Sequence, residues 1–331
     1  MAQTGDRGEA SAGVLLVNLG TPEAPTPAAV RKYLREFLWD PRVVQIPRVA
    51  WWFILNFLVL PFRPAKTAKK YAAIWRPDGA PLRIYHLRQS QLLRGYIGEK
   101  LKRPVPVAAA MRHGKPSIAE GLAELAEKGC NRVLVMPLYP QYAASTTASV
   151  EDAVAAALRR KHGAMKAKVV RDFHAHPLYA KAIARNVNDY WLKHGRPDRL
   201  LMSFHGLPRA VVDAGDPYEA QCRESARLIA TELGWNDART VISFQSRFGP
   251  AEWLKPYTSE TLAGLGRDGV GRVDVICPGF AADCLESLEE IAIEGRATFL
   301  GAGGKDFHYI PTTNDTPAWM TALTQITLEN L

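Results

Sequence analysis

The sequence predicts an α/β protein built from two similar units, each with a parallel sheet, with the active-site cleft between them. Three observations lead there. Eight short apolar runs alternate with amphipathic stretches of helical period, the pattern of repeated βαβ units whose sheets are covered on both faces. The 331 residues suit about two domains, each able to bury a core. Three strand-end signals also recur in the same order in the two halves. Gly20-Thr21-Pro22 is echoed by Gly206-Leu207-Pro208, Arg112-His113-Gly114 by Arg247-Phe248-Gly249-Pro250, and Val135-Met136-Pro137 by Ile276-Cys277-Pro278. The shared order points to an internal duplication. Ligands of open parallel sheets bind beyond the carboxyl ends of the strands, so these six ends should face one cleft.

Taken in order, residues 1–12 are small and polar and read as a flexible N-terminus without the apolar core of a signal peptide. A first unit over 13–160 holds strands Val14–Asn18, Val105–Ala110 and Arg132–Met136 and helices Pro27–Leu38, Ile118–Lys128 and Ser149–Arg159. A second over 161–313 holds strands Ala167–Arg171, Leu200–Phe204, Thr240–Phe244, Arg272–Cys277 and Asp306–Ile310. Its helices are Leu178–Lys193, Tyr218–Leu233 and Leu285–Glu294. Residues 314–331 form a C-terminal helix expected to pack back on the first unit. Four cysteines, none in a CxxC pair, argue against a disulfide scaffold or a cysteine zinc site and suit a cytoplasmic protein.

The formal charge is +9, but it is unevenly placed. Residues 31–103 hold sixteen Lys or Arg against Glu36, Asp40, Asp78 and Glu99, a net of +12, which leaves the rest at −3. No helix-turn-helix, zinc or RNP-like signature accompanies the basic stretch, so nucleic acid is the weakest partner. Within it VAWWFILNFLVL at 49–60 is too short to span a bilayer. It is either a buried core helix or an exposed apolar lip (42–76 with its flanks) that meets a membrane surface peripherally through 49–62.

Several motifs fail on context. Gly264-Leu-Gly266-Arg-Asp-Gly269 matches GxGxxG but follows a helix and precedes a strand, the reverse of a dinucleotide fingerprint. Gly303-Gly304-Lys305-Asp306 lacks the Ser/Thr and the first Gly of a phosphate loop and reads as a turn. His174-Ala-His176 lacks an identifiable third ligand and reads as a loop before a helix near Pro177.

Two signals carry chemistry. His205, in Ser203-Phe-His-Gly-Leu-Pro208, stands at the end of a buried strand. Asp283, Glu286, Glu290 and Glu294 are spaced three, four and four, so an α-helix would align them along one stripe. Like charges at i,i+4 repel; the alternatives are a solvated acidic face or a row of hard oxygen ligands for a divalent cation. Glu289 fits the solvated face. A histidine and a carboxylate meeting across a cleft suit a transition metal or a proton transfer. Trp253, Phe280, Tyr139, Tyr142 and Leu19 cluster near the strand ends, either as core or to grip a flat apolar ligand.

From about residue 13 to about 328 the chain resembles the ferrochelatases, which insert ferrous iron into a porphyrin. The resemblance rests on VNLGTPE at 17–23, LYPQYAASTT at 138–147, SFHGLP at 203–208, GDPY at 215–218, FQSRFGPAEWL at 244–254 and CPGFAADCLESLEEI at 277–291. It implies two Rossmann-like domains around a cleft. It implies catalytic and metal-binding roles for His205 and Glu286, and a relay of protons or metal through Asp283, Glu290 and Glu294. Leu19, Trp253 and Phe280 would pack the macrocycle, joined by Tyr139. Arg63, Lys66 and Tyr71 would lie near its carboxylates, with Arg112 at the cleft. Which of His205 and Glu286 meets iron first is left open. Cys284 stands where many relatives have histidine, and His113 where tyrosine is common. The resemblance implies Fe²⁺ and protoporphyrin IX as substrates, with no permanent cofactor. No iron–sulfur cluster is expected, since the last cysteine is Cys284. A chelatase for coproporphyrin or cobalt, or a porphyrin carrier, are the competing readings; the apolar lip favours protoporphyrin, and a carrier has no use for an acidic row.

Overall fold

The computed structural model describes residues 11–161, 165–235 and 238–331. Among them eight strands form two parallel four-stranded sheets. The first sheet contains β1 (Ala12–Asn18), β2 (Val107–Met111), β3 (Arg132–Pro137) and β4 (Lys166–Val169), in the order β2-β1-β3-β4. The second contains β5 (Arg199–His205), β6 (Thr240–Gln245), β7 (Arg272–Ile276) and β8 (Asp306–Tyr309), in the order β6-β5-β7-β8. The two orders are the same, which is what a duplication leaves. Central strands are buried on both faces, so they read as continuous apolar runs; β1 is buried at every position.

One boundary differs from the sequence reading. β4 pairs in register with β3, Val133 opposite Ala167 and Val135 opposite Val169. The first unit therefore extends past residue 160 into the segment assigned to the second. Backbone pairing decides this, and no local pattern reports it.

The helices in chain order are α1 (Pro27–Trp39), α2 (Arg48–Phe53), α3 (Leu60–Ile74), α4 (Pro81–Leu101), α5 (Ile118–Glu127), α6 (Ser149–Lys161), α7 (Pro177–His194), α8 (Arg209–Asp213), α9 (Tyr218–Leu233), α10 (Thr258–Arg267), α11 (Arg296–Gly301) and α12 (Pro317–Asn330). Three π-helical segments interrupt them, at Ile54–Val59, Ala144–Ala148 and Glu286–Gly295. Local chemistry sets the starts. Thr26 accepts from Ala29 N–H ahead of Pro27 in α1, and Ser117 and Glu120 cap α5 reciprocally. α12 lies against α4 and β3 on one side and α7 on the other. The largest core cluster runs through both units, from Val14 and Leu16 of β1 through α7 and α12 to Leu200 and Met202 of β5. The two sheets therefore share one interior.

The stretch 49–60 is a two-faced arm of α2, a π turn and α3. Trp51, Leu55 and Leu60 are buried against α1, while Val49, Trp52, Phe53, Phe57, Leu58 and Phe62 are exposed. Pro61 and Pro64 cannot donate backbone N–H groups, and the helix widens just before them. Asn56, the one polar residue of the run, donates to the Trp52 carbonyl at 2.8 Å. Among the described residues no helix is long and apolar enough to cross a membrane.

The discounted motifs lie where their context placed them. Gly264 and Gly266 end α10, and a Cβ on Gly266 would come within 2.7 Å of the Phe299 carbonyl, so that glycine serves close packing of α10 on α11. Gly303–Asp306 turns the chain into β8. His176 caps α7 and faces Glu329 at 3.1 Å, whereas His174 faces Asp172 at 2.7 Å.

Candidate active site

The second unit supplies the histidine and the glutamates of the candidate site. His205 ends β5, opposite Gln245 in β6. Its Nδ1 lies 2.7 Å from the Gly206 carbonyl. A carbonyl oxygen only accepts, so the neutral ring carries its proton on Nδ1 and leaves the Nε2 lone pair free. Trp253 lies beside it with ring centroids 6.4 Å apart. Two backbone bonds hold that neighbour: Leu254 N–H donates to Leu207 at 2.9 Å, and Arg209 N–H donates to Glu252 at 2.8 Å.

Gln245 links the strand ends to the acidic segment. Its Oε1 accepts from Ser203 Oγ at 2.6 Å, and its Nε2 donates to the Glu286 carbonyl at 3.0 Å. Glu286 thus starts its helix tied to the strand that faces His205. That helix is π rather than α, running Glu286–Gly295 with i→i+5 hydrogen bonds. Glu290 accepts from Ser246 through both oxygens, from the backbone N–H at 2.6 Å and from Oγ at 2.5 Å. Burial pushes the Glu290 carboxyl up; the Ser246 bonds and His205 oppose that, and Glu286 adds to it. His205 and Glu286 therefore both lie within electrostatic reach of Glu290.

The row ends differently at its two extremes. Asp283 does not lie on the helix and does not continue the stripe. It is buried, its Oδ1 accepting from Tyr309 Oη (2.5 Å), Thr312 N–H (3.2 Å) and Ser287 Oγ (3.2 Å), and its Oδ2 from Asn314 Nδ2 (2.8 Å). The 3-4-4 spacing grouped it with the glutamates, but the helix begins only after it. At the far end Glu294 is exposed and pairs with Lys70 of α3 at 2.8 Å. Glu289, read as a solvated-face residue, is buried against the same lysine, also at 2.8 Å.

From the first unit, Tyr33 and Tyr71 are buried, and burial followed by neighbouring charges including Glu286 pushes both phenols well above their usual value. The half-buried Arg63 has its guanidinium lowered by burial, which Glu286 partly opposes, and it lies 4.5 Å over the Phe248 ring. Lys66 is exposed. Leu19, Trp253 and Phe280 are half-buried, with Phe280 packed against Leu82, Ala282 and Cys284. Tyr139 Oη is buried and has no hydrogen-bond partner among the described residues. Arg112 is held by Asp40 through Nη2 (2.5 Å) and by Ser149 through Nε (2.6 Å), which leaves Nη1 uncommitted. A cavity of about 270 Å³ opens beside the acidic row, lined among others by Ser246, Arg247, Tyr257, Glu260, Glu290 and Glu294.

The sequence reading missed Gln245, Ser246 and Lys70. The first two could have been found from register, because they follow the strand that pairs with the histidine strand. Nothing local marks Lys70. Among the described residues no three His, Cys, Asp or Glu side chains form a preformed metal cage.

Two sheets of one topology around a shared cleft define the chelatase fold. Solved structures agree: SirB from Bacillus subtilis with Fe³⁺ matches at TM-score 0.57 and 13% identity over 96% of this chain and 95% of that one. DR2241 from Deinococcus radiodurans, described as similar to chelatases with two additional domains, matches at TM-score 0.51 and 14% identity over 98% of this chain and 56% of that one. The sequence narrows the class. The ferrochelatase family model matches residues 11–331, so the chain belongs to the ferrochelatase family. It is 59% identical to the ferrochelatase of Aromatoleum aromaticum over 95% of this chain and 86% of that protein. It is 50% identical to that of Methylobacillus flagellatus over 96% and 93%. The activity is metal insertion into a porphyrin, the haem-forming reaction of a metal chelatase.

Proposed function

We propose that this enzyme inserts Fe²⁺ into protoporphyrin IX with His205 as the general base and Glu286 as the carboxylate that meets the metal. The observation that carries this reading is the His205 ring: its Nδ1–H is committed to the Gly206 carbonyl, so Nε2 is the basic atom, with Glu290 in electrostatic reach. A free porphyrin holds two N–H protons in a flat ring, and iron enters only as both leave. Leu19, Trp253 and Phe280 supply apolar surface for a bent macrocycle, a distortion stabilised by contacts remote from the reacting nitrogens. Arg63 and Lys66 supply cations for its carboxylates, and Arg112 offers Nη1. One proton passes to Nε2 of His205, and the imidazolium is stabilised by the carboxylates beside it. Glu290 and Glu294 form the outward path for the protons beside the adjoining cavity, while Fe²⁺ takes the vacated nitrogens. The balance is porphyrin-H₂ plus Fe²⁺ giving metalloporphyrin plus two protons. Asp283 anchors the start of the π-helix in this scheme and carries no proton. No step calls for a resident cofactor.

The exposed face of the lip, Phe57, Leu58 and Phe62 at more than 60% exposure, lies among exposed cations of α3 such as Lys66 and Lys69. This pairing suits peripheral contact with an anionic membrane surface, where an apolar porphyrin also partitions. The deciding experiment is anaerobic metal insertion followed by the Soret and visible bands. His205→Ala abolishes insertion of Fe²⁺ or Zn²⁺ while protoporphyrin still binds; near-parental turnover in that variant removes His205 from the role. Coproporphyrin run in parallel, if turned over faster than protoporphyrin, overturns the assigned substrate.

A further inference from the structure

We propose that Lys70 is a positioning residue that locks the catalytic helix in its π register, an inference that rests on the role given above to Glu286. Lys70 Nζ lies 2.8 Å from Glu289 Oε2 and 2.8 Å from Glu294 Oε1. Those two glutamates are five residues apart. At 3.6 residues per turn an α-helix separates such a pair by about 140°, so one ammonium could not hold both at hydrogen-bonding distance. In a π-helix residue i+5 is the hydrogen-bonding neighbour one turn on, so the pair falls on one face. The double bridge is therefore satisfied in one register and broken in the other.

The register matters because π-helices are rare beyond single turns, and this one runs from Glu286 to Gly295. Reverting to α would rotate Glu290 and Glu294 relative to Glu286 and move Glu290 away from Ser246, which holds it from the neighbouring strand end. The inner end of the helix is fixed by Gln245 and by the Asp283 network. The outer end has Lys70. Leu285 and Leu288 pack against the α1–α3 core, so the helix already rests on the first unit, and the lysine adds directional bonds from that unit. Arg63 sits seven residues before Lys70, two turns away on the same face of α3, and rests on Phe248 of the second unit. One face of α3 thus reaches across the cleft at two points, and only Lys70 discriminates between helix registers.

The test removes the clip and leaves every carboxylate of the helix in place. Lys70→Met takes away both bonds. We expect kcat to fall roughly five-fold or more with KM for porphyrin unchanged, and amide exchange to rise within 286–295 with the rest of the chain unaffected. Lys70→Arg, which can also span two carboxylates, should restore both. Parental kcat in Lys70→Met, or exchange unchanged over 286–295, overturns the inference. Glu286→Gln assayed alongside separates the two readings. If it is fully active, the role of Glu286 falls; if it is inactive while Lys70→Met matches the parent, only the lysine clip falls.

Discussion

Asp283→Asn separates an anchoring carboxylate from a proton relay, and the structure sets the size of its effect. Asp283 accepts four hydrogen bonds, three on Oδ1 and one on Oδ2. An asparagine that keeps its oxygen toward Tyr309, Thr312 and Ser287 turns its NH₂ toward the Asn314 NH₂. Asn314 cannot flip to relieve this, because its own Oδ1 accepts from Asp283 N–H at 2.8 Å and Thr312 Oγ at 3.1 Å. One buried donor then loses its partner at about 1–3 kcal/mol, and three charge-assisted bonds become neutral ones at roughly 1 kcal/mol each. The expected loss is about 5 kcal/mol, a large part of the 5–15 kcal/mol typical of a folded protein. It should lower the thermal unfolding midpoint by roughly 7 °C. Urea denaturation followed by tryptophan fluorescence measures the stability loss, and anaerobic metal insertion by the still-folded fraction at low temperature measures turnover. An anchor predicts a large stability loss with turnover within an order of magnitude of the parent. An unchanged midpoint with insertion abolished would make Asp283 a member of the relay and refute the reasoning.

Three further outcomes follow from local geometry. Burial pushes the imidazoles of His113 and His86 down to about 3 and about 4, so both stay neutral in the fold, while the unfolded chain binds their protons below about 6.5. Their stability contribution is present above pH 6.5 and is lost as pH falls, at about 1.4 kcal/mol per unit for each ring. Neither ring nitrogen of His113 has a hydrogen-bond partner among the described residues, so His113→Phe should stay within about 1 kcal/mol of the parent at pH 7 and lose about 2 kcal/mol less between pH 7 and 5; a parallel pH curve would contradict this. Gly20 has φ +115°, and a Cβ there would lie 1.7 Å from the His113 carbonyl, so Gly20→Ala should cost about 3–5 kcal/mol in a thermal melt. Phe57→Ser with Phe62→Ser should leave solution stability within about 0.5 kcal/mol yet reduce flotation with anionic vesicles, and parental flotation should weaken with salt; equal flotation of parent and variant would remove the lip from membrane contact.

Much of the fold was legible because its signals are local. Buried strands write themselves as continuous apolar runs, and the eight runs fell on the eight described strands within two residues at each end. The repeated Gly, Arg and Pro punctuation marked strand ends because each turn needs those residues where the chain leaves the sheet. His205 could be singled out for the same reason, since a strand terminus is visible in the sequence.

What the residues around that histidine do was decided elsewhere in the chain. Asp283 and Glu286 look alike in a spacing count, yet donors from residues 287, 309, 312 and 314 fully engage the first, while Gln245 fixes the second by its backbone. Glu289 looked like a solvated residue until a lysine 219 positions earlier closed on it. The same lysine spans residues 289 and 294 of a helix wound as π, a winding that helical periodicity cannot report because it assumes the α turn. The sequence alone determined the elements, their duplication and the family, since alternation and punctuation record which way each side chain must point. Only the tertiary structure decided which strand closes the first sheet, which carboxylates are free and which are bound, and how the acidic helix is wound, because these depend on hydrogen-bond partners that meet only when the two units close on each other.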